Sequence, residues 1–413
     1  MCLQMQDDRV ASRQMRCDTP PRMEDVNDRD SSDDDAPADM DDIEIVEVYD
    51  ELLTDFSDEE EEHEEAIAAG EDELPLDSAE VSFTAHQGSA FVCAVSGDSR
   101  YIVTGGEDDR GCVWHLDTGE LVFECNGHAD SVTCAAFNHD STLVATADMG
   151  GSLHVWNVES CQQLWEFDIG VDLNWIDWHQ QANVLLAGTL DGMLWMWQVP
   201  SGQCKNLVGP GASCGAGRFL SDGRRAAAGY DDGSVRVWDL KGAHTLFNQA
   251  HPGGPVTCLD TSGDLVVSAA TDVRLLQAST GRNLAAFTLA TSAGDEACAV
   301  EAVCIDGAQR ILAAGLLSGR LSLWDMGSQA ERECCIHPAG VTRALWRGPH
   351  TVVTGCLDGV VRAWDVRTPQ EPAVCWRAHR HDILDLALSP DGQRVVSVSD
   401  GGTCTVHKFA MPD

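Results

Sequence analysis

Three side chains have the type and setting of catalytic or metal-binding groups. Ser213 is at the centre of GASCG, the Gly-x-Ser-x-Gly pattern of a nucleophile elbow, and His379 and His381 in AHRHD are close enough to suggest zinc. An elbow needs a helix after the serine, but no helix signal follows Ser213, which falls in the first strand of a repeat. Two histidines alternating on a strand or turn also supply too few zinc ligands. We therefore expect no catalytic residue, no metal and no cofactor.

The formal charge of −42 is spread unevenly over the 413 residues. The first 80 residues contain 30 Asp or Glu against 5 Arg, and residues 81–413 contain 38 against 21 Lys or Arg. Both parts repel nucleic acid and anionic lipid at long range and attract cations. The charge therefore predicts a basic protein or peptide as partner, with neither direct nucleic-acid binding nor membrane insertion.

Residues 1–78 are acidic and contain few apolar side chains. A segment of this composition buries too little surface to offset the entropy lost on ordering, which predicts a disordered acidic arm. Within the arm, DDIEIVEVYDELL (41–53) alternates apolar and acidic residues. This pattern is consistent either with a short motif that folds on a partner or with a solubilising tail.

The 17 cysteines do not indicate a secreted disulfide scaffold. The chain is long, its first residues lack the apolar part of a signal peptide, and no Cys-x-x-Cys pair or Asn-x-Ser/Thr acceptor occurs. It also has no apolar run of about 18 residues, the length that spans a bilayer. We expect a soluble cytoplasmic monomer, whose presence at the plasma membrane would depend on protein partners.

From Val81 onward one pattern recurs eight times. A strand-ending residue follows its predecessor by 38 to 48 residues, near the period of about 40–45 that is typical of propeller blades. Six of these positions hold tryptophan and two hold other residues: Trp114, Trp156, Trp197, Trp238, Leu276, Trp324, Trp364 and His407. An apolar run such as YIVTGG or RVVSVSD precedes each one. The pattern predicts many short strands at even spacing.

Histidine and aspartate recur at fixed distances before these positions. His86, His128, His337 and His379 lie 27 or 28 residues upstream, and Asp108, Asp191, Asp232 and Asp358 lie six residues upstream. Together with the Trp-Asp ending, this arrangement resembles the WD-repeat family. The resemblance implies an all-β, eight-bladed WD-repeat β-propeller.

In that family, each blade contains a hydrogen-bonded tetrad of the histidine, a Ser or Thr of the second strand, the turn aspartate and the tryptophan. The resemblance implies that the following residues belong to such structural tetrads: His86, Asp108, Trp114, His128, Trp156, Asp232, Trp238, His337, Asp358 and Trp364. Gly150 occupies the aspartate position of the second blade, so we expect that tetrad to lack its acid.

The propeller is predicted to span residues 79–413. The last repeat supplies only three strands, and AEVSFTA (79–85) has the alternation and position of the missing fourth strand. If this segment is not a linker, it closes the ring from both ends of the chain, which removes exposed sheet edges.

In WD-repeat propellers, the loops before the first strand and between the second and third strands share one rim. The resemblance places eight acidic residues there: Glu107, Asp109, Asp130, Asp172, Asp191, Asp231, Asp358 and Asp382. Such a face suits a basic peptide through charge-assisted hydrogen bonds, although some of these residues could instead cap turns. Trp175 aligns with Cys134 in the first strand, so we expect it to reach the central channel, as a plug or as a hydrophobic contact.

The resemblance implies a non-enzymatic protein-binding scaffold with one of two roles. The first is an acidic chaperone or escort for a basic client such as a large-subunit ribosomal protein. The second is a signalling adaptor in cell migration and angiogenesis. A chaperone predicts one dominant basic client and steep salt dependence, whereas an adaptor predicts several partners bound through apolar or mixed patches.

Overall fold

The computed structural model describes residues 79–289, 299–306, 308 and 310–409. These residues form 32 strands in eight four-stranded sheets, each of which is one blade of a propeller. The predicted acidic arm, residues 1–78, lies outside the described residues. The all-β, eight-bladed fold expected from the repeat spacing is confirmed.

The strands follow one another around the ring in chain order. The first strand is Val81–Thr84 (β1). Blades 1 and 2 comprise Ala90–Val95 (β2), Tyr101–Gly106 (β3), Gly111–His115 (β4), Leu121–Cys125 (β5), Val132–Phe137 (β6), Leu143–Asp148 (β7), Ser152–Asn157 (β8) and Gln162–Asp168 (β9). Blades 3 and 4 comprise Leu173–Trp178 (β10), Val184–Thr189 (β11), Leu194–Gln198 (β12), Gln203–Leu207 (β13), Cys214–Phe219 (β14), Arg225–Tyr230 (β15), Ser234–Asp239 (β16) and His244–Ala250 (β17).

The second half of the ring repeats this arrangement. Blades 5 and 6 comprise Cys258–Ser262 (β18), Leu265–Ala269 (β19), Val273–Gln277 (β20), Arg282–Phe287 (β21), Val300–Asp306 (β22), Ile311–Leu316 (β23), Arg320–Asp325 (β24) and Glu331–Ile336 (β25). Blades 7 and 8 comprise Val341–Arg347 (β26), Thr351–Cys356 (β27), Val360–Asp365 (β28), Val374–Arg377 (β29), Ile383–Leu388 (β30), Arg394–Ser399 (β31) and Thr403–Lys408 (β32).

Burial within a blade depends on strand position. All six residues of β7 and of β27, which are second strands, are buried, because each of these strands lies between two neighbouring blades. The fourth strand β9 instead alternates exposed and half-buried residues over most of its length, as a strand with one solvated face does. The second strands are therefore rich in Val, Ala and Leu, whereas the outer strands are mixed in composition.

Both ends of the described chain meet in blade 8. β1 pairs antiparallel with β32, with Val81 opposite Val406 and Thr84 opposite Thr403. The first strands of the blades contact one another in order around the ring, and β2 contacts β30 to complete the circle. They surround a central cavity of about 460 Å³. The complete circle holds the loops at each end of the blades as two opposed rims.

Three aspartates of the first strands link neighbouring blades. Asp385 accepts the backbone N–H of residue 93 in blade 1 at 3.0 Å and pairs with Arg343 at 2.7 Å. Asp177 and Asp260 accept backbone N–H groups of blades 4 and 6 at 2.7 and 3.0 Å. Burial raises the pKa of Asp177 and of Asp260. These carboxylates stabilise blade junctions, and nothing in the repeat spacing had singled them out.

Candidate protein-binding face

Blade 1 contains a complete tetrad. Trp114 Nε1 donates to Thr104 Oγ1 at 2.9 Å, Thr104 Oγ1 lies 2.8 Å from His86 Nε2, and His86 Nδ1 lies 2.8 Å from Asp108 Oδ1. Burial lowers the pKa of His86, and the hydrogen bond to Asp108 partly offsets that effect. Because the chain of hydrogen bonds runs from the end of β4 to the turn before it and to the loop before β2, it holds two rim loops together.

Blade 2 recruits a different aspartate from the one its spacing suggests. Gly150 occupies the expected position, but Asp148, at the end of β7, lies 3.1 Å from His128 Nδ1 through its Oδ2 atom. His128 Nε2 lies 2.8 Å from Thr146 Oγ1. The expectation that this blade lacks its acid is therefore wrong. A carboxylate two residues earlier in the chain reaches the same imidazole.

The tryptophans of blades 2 and 4 are packed rather than hydrogen-bonded. The indole N–H groups of Trp156 and Trp238 are buried without a partner among the described residues. In blade 2, His154 stacks on His128 with 4.3 Å between ring centroids. In blade 4, which has no histidine at the tetrad position, Asp232 caps its own turn by accepting the N–H two residues ahead at 2.8 Å. The structure therefore does not bring these two indoles into hydrogen-bonded tetrads.

In blade 7 the histidine and tryptophan are hydrogen-bonded, but the aspartate does not contact the histidine. Trp364 Nε1 lies 3.1 Å from both Thr354 Oγ1 and His337 Nε2. Asp358 pairs with Arg362 at 2.5 Å, and His337 Nδ1 instead donates to a backbone carbonyl of blade 6 at 3.0 Å. Burial and the nearby Arg362 charge lower the pKa of His337 to about 4. This histidine is therefore neutral at physiological pH.

Backbone hydrogen bonds place two sets of loops on one rim. Glu107 N, between β3 and β4, donates to the carbonyl of Ser89, just before β2, at 2.9 Å. In blade 8, Asp400 N donates to the carbonyl of Asp382 at 3.0 Å. Equivalent bonds join the two loops in blades 2, 3, 4, 6 and 7. We call the surface formed by these loops the acidic rim.

The eight acids expected on this surface all lie in its loops. Seven are solvent-exposed: Glu107, Asp109, Asp130, Asp172, Asp191, Asp231 and Asp382. Asp358 differs, because it is half-buried and paired with Arg362. Asp400, which was not expected, also belongs to the rim, and burial together with the Asp400 charge raises the pKa of Asp382. The Asp400 charge therefore disfavours the charged form of Asp382, and a bound cation would relieve this repulsion.

The exposed acids differ in how far they are already used. Asp130 and Asp191 cap turns, since they accept hydrogen bonds from the N–H of residue 131 at 2.7 Å and from the hydroxyl of residue 189 at 2.5 Å. Asp109, Asp172 and Asp231 accept no side-chain hydrogen bond from the described residues. These three carboxylates are the ones most available to a ligand, together with that of Asp382, whose carboxylate likewise accepts no hydrogen bond from the described residues.

Large apolar side chains are exposed on the same rim. Met149, Leu190 and Leu317 occupy one turn position in blades 2, 3 and 6, and each is 44 to 49% exposed. Val208 and Ile336, just before blades 4 and 7, are 72% and 67% exposed. Sequence reasoning had identified only the acids. The surface is therefore mixed: it combines carboxylates with isolated apolar contacts that suit the stems of Lys and Arg or apolar side chains of a ligand.

Trp175 lies at the junction of blades 3 and 4. Its ring borders the central cavity but is 9% exposed, and its N–H donates to the carbonyl of Cys214 at 3.1 Å. A Cβ atom on Gly188 or Gly217 would overlap the indole. The ring is therefore a packing element that two glycines accommodate, and it presents little surface to the channel.

The residues first considered for catalysis have structural partners. Ser213 lies one residue before β14 rather than inside it, and its Oγ accepts a hydrogen bond from Asn174 Nδ2 at 2.9 Å. His379 contacts Thr403 Oγ1 and Ser397 Oγ, both at 2.7 Å, and burial lowers its pKa to about 3. Among the described residues, no group of three or more His, Cys, Asp or Glu side chains is arranged to hold a metal.

The described part of the chain contains no helix with the length and apolar character needed to cross a membrane.

Comparison with known proteins identifies the repeats. The family model described as "WD domain, G-beta repeat" matches residues 78–115, 119–157, 204–239 and 370–408. Each match covers the outer strand of one blade and the first three strands of the next, which are blades 1, 2, 4 and 8. The chain is 42% identical over 355 residues to the angio-associated migratory cell protein of Homo sapiens, covering 82% of this chain and 81% of that protein. The same protein of Canis lupus familiaris matches with the same identity and coverage.

Solved structures share the architecture at lower identity. Sqt1 of Saccharomyces cerevisiae superposes with a TM-score of 0.74 at 18% identity and covers 82% of this chain and 100% of its own. Sqt1 of Chaetomium thermophilum, solved bound to the N-terminus of the ribosomal protein L10, gives a TM-score of 0.72 at 20% identity, over 81% of this chain and 100% of its own. From its repeats, its ring of eight blades and its relatives, the chain belongs to the angio-associated migratory cell protein family of WD-repeat propellers.

Proposed function

We propose that this protein binds a basic segment of a client protein across the acidic rim and escorts that client, a large-subunit ribosomal protein, through the cytoplasm before assembly. The observation that carries the proposal is the position of the exposed acids. Seven predicted carboxylates and Asp400 lie in loops of a single rim, where they can act together on one ligand.

Electrostatics supports this assignment. Asp109, Asp172 and Asp231 are exposed acceptors with no hydrogen-bond donor among the described side chains. A Lys or Arg side chain offers several N–H donors to such groups, and charge-assisted hydrogen bonds are stronger than neutral ones. The same field raises the encounter rate with a cationic segment at low ionic strength. A bound client would in turn have its own positive charge covered, which shields it from RNA.

A propeller of the same architecture provides a model for the ligand. Chaetomium thermophilum Sqt1 has been solved with the N-terminus of the ribosomal protein L10, a terminal segment of that protein. Extended peptides fit a ring of loops, because successive side chains meet successive blades. The apolar residues Met149, Leu190 and Val208 lie beside Asp172 and Asp231 on blades 2 to 4, so we expect a client segment with both basic and apolar side chains.

The test is a binding titration with a charge-neutral variant. A labelled N-terminal peptide of ribosomal protein L10 is titrated with the full chain at 50 and 300 mM salt, by fluorescence anisotropy. Asp109→Asn, Asp172→Asn and Asp231→Asn together remove three rim charges without removing a turn cap. Exposed ion pairs contribute roughly 0.2–1 kcal/mol each, so we expect a loss of about tenfold in affinity and a shallower salt dependence.

A matched variant controls for overall charge. Glu120, Glu159 and Glu371 are exposed acids in loops between third and fourth strands, which belong to the opposite rim. Changing all three to Gln removes three negative charges from the opposite rim and leaves the acidic rim unchanged. If both triple variants weaken the peptide equally, binding follows net charge and the acidic rim is not the site.

The alternative role is that of a signalling adaptor. The relatives are named for migratory cells, and the exposed apolar residues Met149, Leu190, Leu317, Val208 and Ile336 give the rim the mixed character that the adaptor hypothesis requires. Affinity purification from cell extract at two salt concentrations separates the roles. One basic client lost at high salt supports the escort, whereas several salt-resistant partners support the adaptor.

A further inference from the structure

A pocket of about 800 Å³ lies between blades 3 and 4, on the rim opposite the acidic rim. Its walls come from the ends of β12, β14 and β16, from the starts of β11 and β13, and from the loops that follow β10, β14 and β16. Val184, Met196, Phe219 and Leu240 provide its apolar surface. The pocket is therefore formed by two blades at once, at a junction that the ring holds fixed.

The charge of this pocket is opposite to that of the chain. Lys205, Arg224 and Lys241 line it, and the only carboxylate among its lining residues is Asp239. The chain has three lysines in total, and two of them are here. Asp239 is already engaged, because its Oδ2 accepts the N–H of residue 242 at 2.7 Å. A chain with a net charge of −42 thus has three cationic side chains at one site.

These cations are not neutralised within the described part of the chain. Lys205 Nζ is held by the carbonyls of residues 240 and 241 at 3.2 and 2.8 Å, and it has no described carboxylate within 4.0 Å. Arg224 and Lys241 also lack such a partner, and the neighbouring Asp222 pairs with Arg225 at 2.7 Å. Some arginines elsewhere are paired with carboxylates, as Arg394 is with Glu80 and Asp117. Three cations that line one pocket without a carboxylate partner among the described residues suit a ligand of the opposite sign.

His179 positions a loop of the pocket through hydrogen bonds and packing. Its Nε2 lies 3.0 Å from the carbonyl of Gly223, and its Nδ1 accepts the N–H of residue 181 at 3.0 Å. The φ of Gly223 is +64°, and a Cβ atom there would overlap the imidazole. This contact fixes the loop that carries Arg224.

We propose that this pocket binds an acidic peptide segment of a partner protein, with an apolar side chain on the pocket floor and its carboxylates on Lys205, Arg224 and Lys241. The three cations come from separate elements, so they suit several single charges spaced along a chain. A phosphate group concentrates its charge at one point and is best met by converging Arg forks or backbone N–H groups, whereas this pocket has one arginine and carbonyls in its wall.

The experiment uses the full chain and a labelled synthetic peptide of sequence EIEVEIE in low salt. Anisotropy should report binding, and the double variant Lys205→Gln, Lys241→Gln should weaken it at least tenfold. Lys408→Gln, which removes the remaining lysine from blade 8, is the matched control and should leave binding unchanged. The neutral peptide QIQVQIQ should not bind.

Lysine footprinting gives a second readout that does not depend on the variants. Acetylation by an N-hydroxysuccinimide ester, measured by mass spectrometry, should slow at Lys205 and Lys241 when EIEVEIE is present and stay constant at Lys408. Equal binding by the double variant, or equal protection of all three lysines, would overturn the proposal. Competition by millimolar inorganic phosphate as effective as by the peptide would do the same, since it would identify a simple anion site.

The two proposals fail independently. The double lysine variant should bind the basic L10 peptide as well as the unchanged chain does, because that ligand belongs to the opposite face. If the double variant loses EIEVEIE binding but still binds the basic L10 peptide, the pocket is the site for acidic peptides whether or not the acidic rim binds a basic client.

Discussion

The tetrad of blade 1 is expected to stabilise the propeller by an amount that a matched pair of substitutions can isolate. Trp114 and Trp156 occupy equivalent positions, and each is 8% exposed. Trp114 donates its N–H to Thr104 at 2.9 Å, whereas the N–H of Trp156 has no partner among the described residues. Replacing each by Phe removes a similar amount of buried ring, so the difference between the two variants reports the hydrogen bond.

The expected magnitude follows from the two environments. Trp114→Phe removes a hydrogen bond with a net contribution of about 1 kcal/mol, and it leaves the Thr104 and His86 chain without its first donor. Trp156→Phe removes an unsatisfied buried donor, which itself costs roughly 1–3 kcal/mol in the native state. The free energy of unfolding should therefore be lower for Trp114→Phe than for Trp156→Phe by roughly 2–4 kcal/mol.

Thermal unfolding followed by far-UV circular dichroism measures this difference. Unfolding entropy scales with chain length, so each 2 kcal/mol in a propeller of this size corresponds to a difference in Tm of about 3 °C. Urea unfolding with equal slopes for both variants checks that the folded states are comparable. Equal Tm values, or a lower value for Trp156→Phe, would refute the view that the hydrogen-bonded indole stabilises its blade more than the packed one.

Two further predictions concern the core. Gly217→Ala should lower the free energy of unfolding by roughly 1–3 kcal/mol, because the new methyl group overlaps Trp175. In urea unfolding, the double variant with Trp175→Leu should recover part of that loss. If it recovers none, the indole is not the obstacle. Burial lowers the pKa of His379 to about 3, so its neutral form stabilises the fold above the unfolded-state pKa of about 6.5, and that contribution is lost as pH falls toward 3. The fall in the urea midpoint between pH 7 and pH 5 should therefore be smaller in His379→Gln than in the unchanged chain. An equal fall in the two proteins would contradict the lowered pKa of His379.

The architecture could be predicted because it depends on a local pattern repeated many times. Each second strand must be apolar on both faces to lie between blades, and each blade must end near the same strand position. Both requirements are visible in runs such as YIVTGG and in the spacing from Trp114 to Trp364. The missing strand of the last blade was visible as well, because Val81–Thr84 has the alternation of a strand.

The side-chain partners were harder to predict, because one contact can be made from several chain positions. Spacing pointed to Gly150, yet Asp148 reaches His128 from the strand end. Spacing was correct for the position of Asp358, but this carboxylate pairs with Arg362, four residues later in the chain. An arginine at that distance could have indicated that Asp358 was engaged in an ion pair. Asp400 follows the last second strand directly and could have been recognised by comparison with Glu107.

The basic pocket could not be predicted, because it combines residues from two blades. Lys205 and Lys241 are 36 residues apart in sequence and meet only because blades 3 and 4 pack side by side. Composition pointed away from such a site, since lysine and arginine are greatly outnumbered by Asp and Glu. A cation cluster inside an acidic protein becomes visible only when the pairing of each charge is known.

The union of β1 with β32 bears on how the chain is synthesised. Val81 and Val406 are neighbours in the sheet, yet on the order of 300 residues separate them in the chain. At about 5–20 residues per second, the ribosome makes the first of these strands tens of seconds before the second. Throughout that interval β1 lacks its partner strand and can pair with other chains. Translation speed and chaperone supply late in synthesis should therefore govern the yield of the finished propeller.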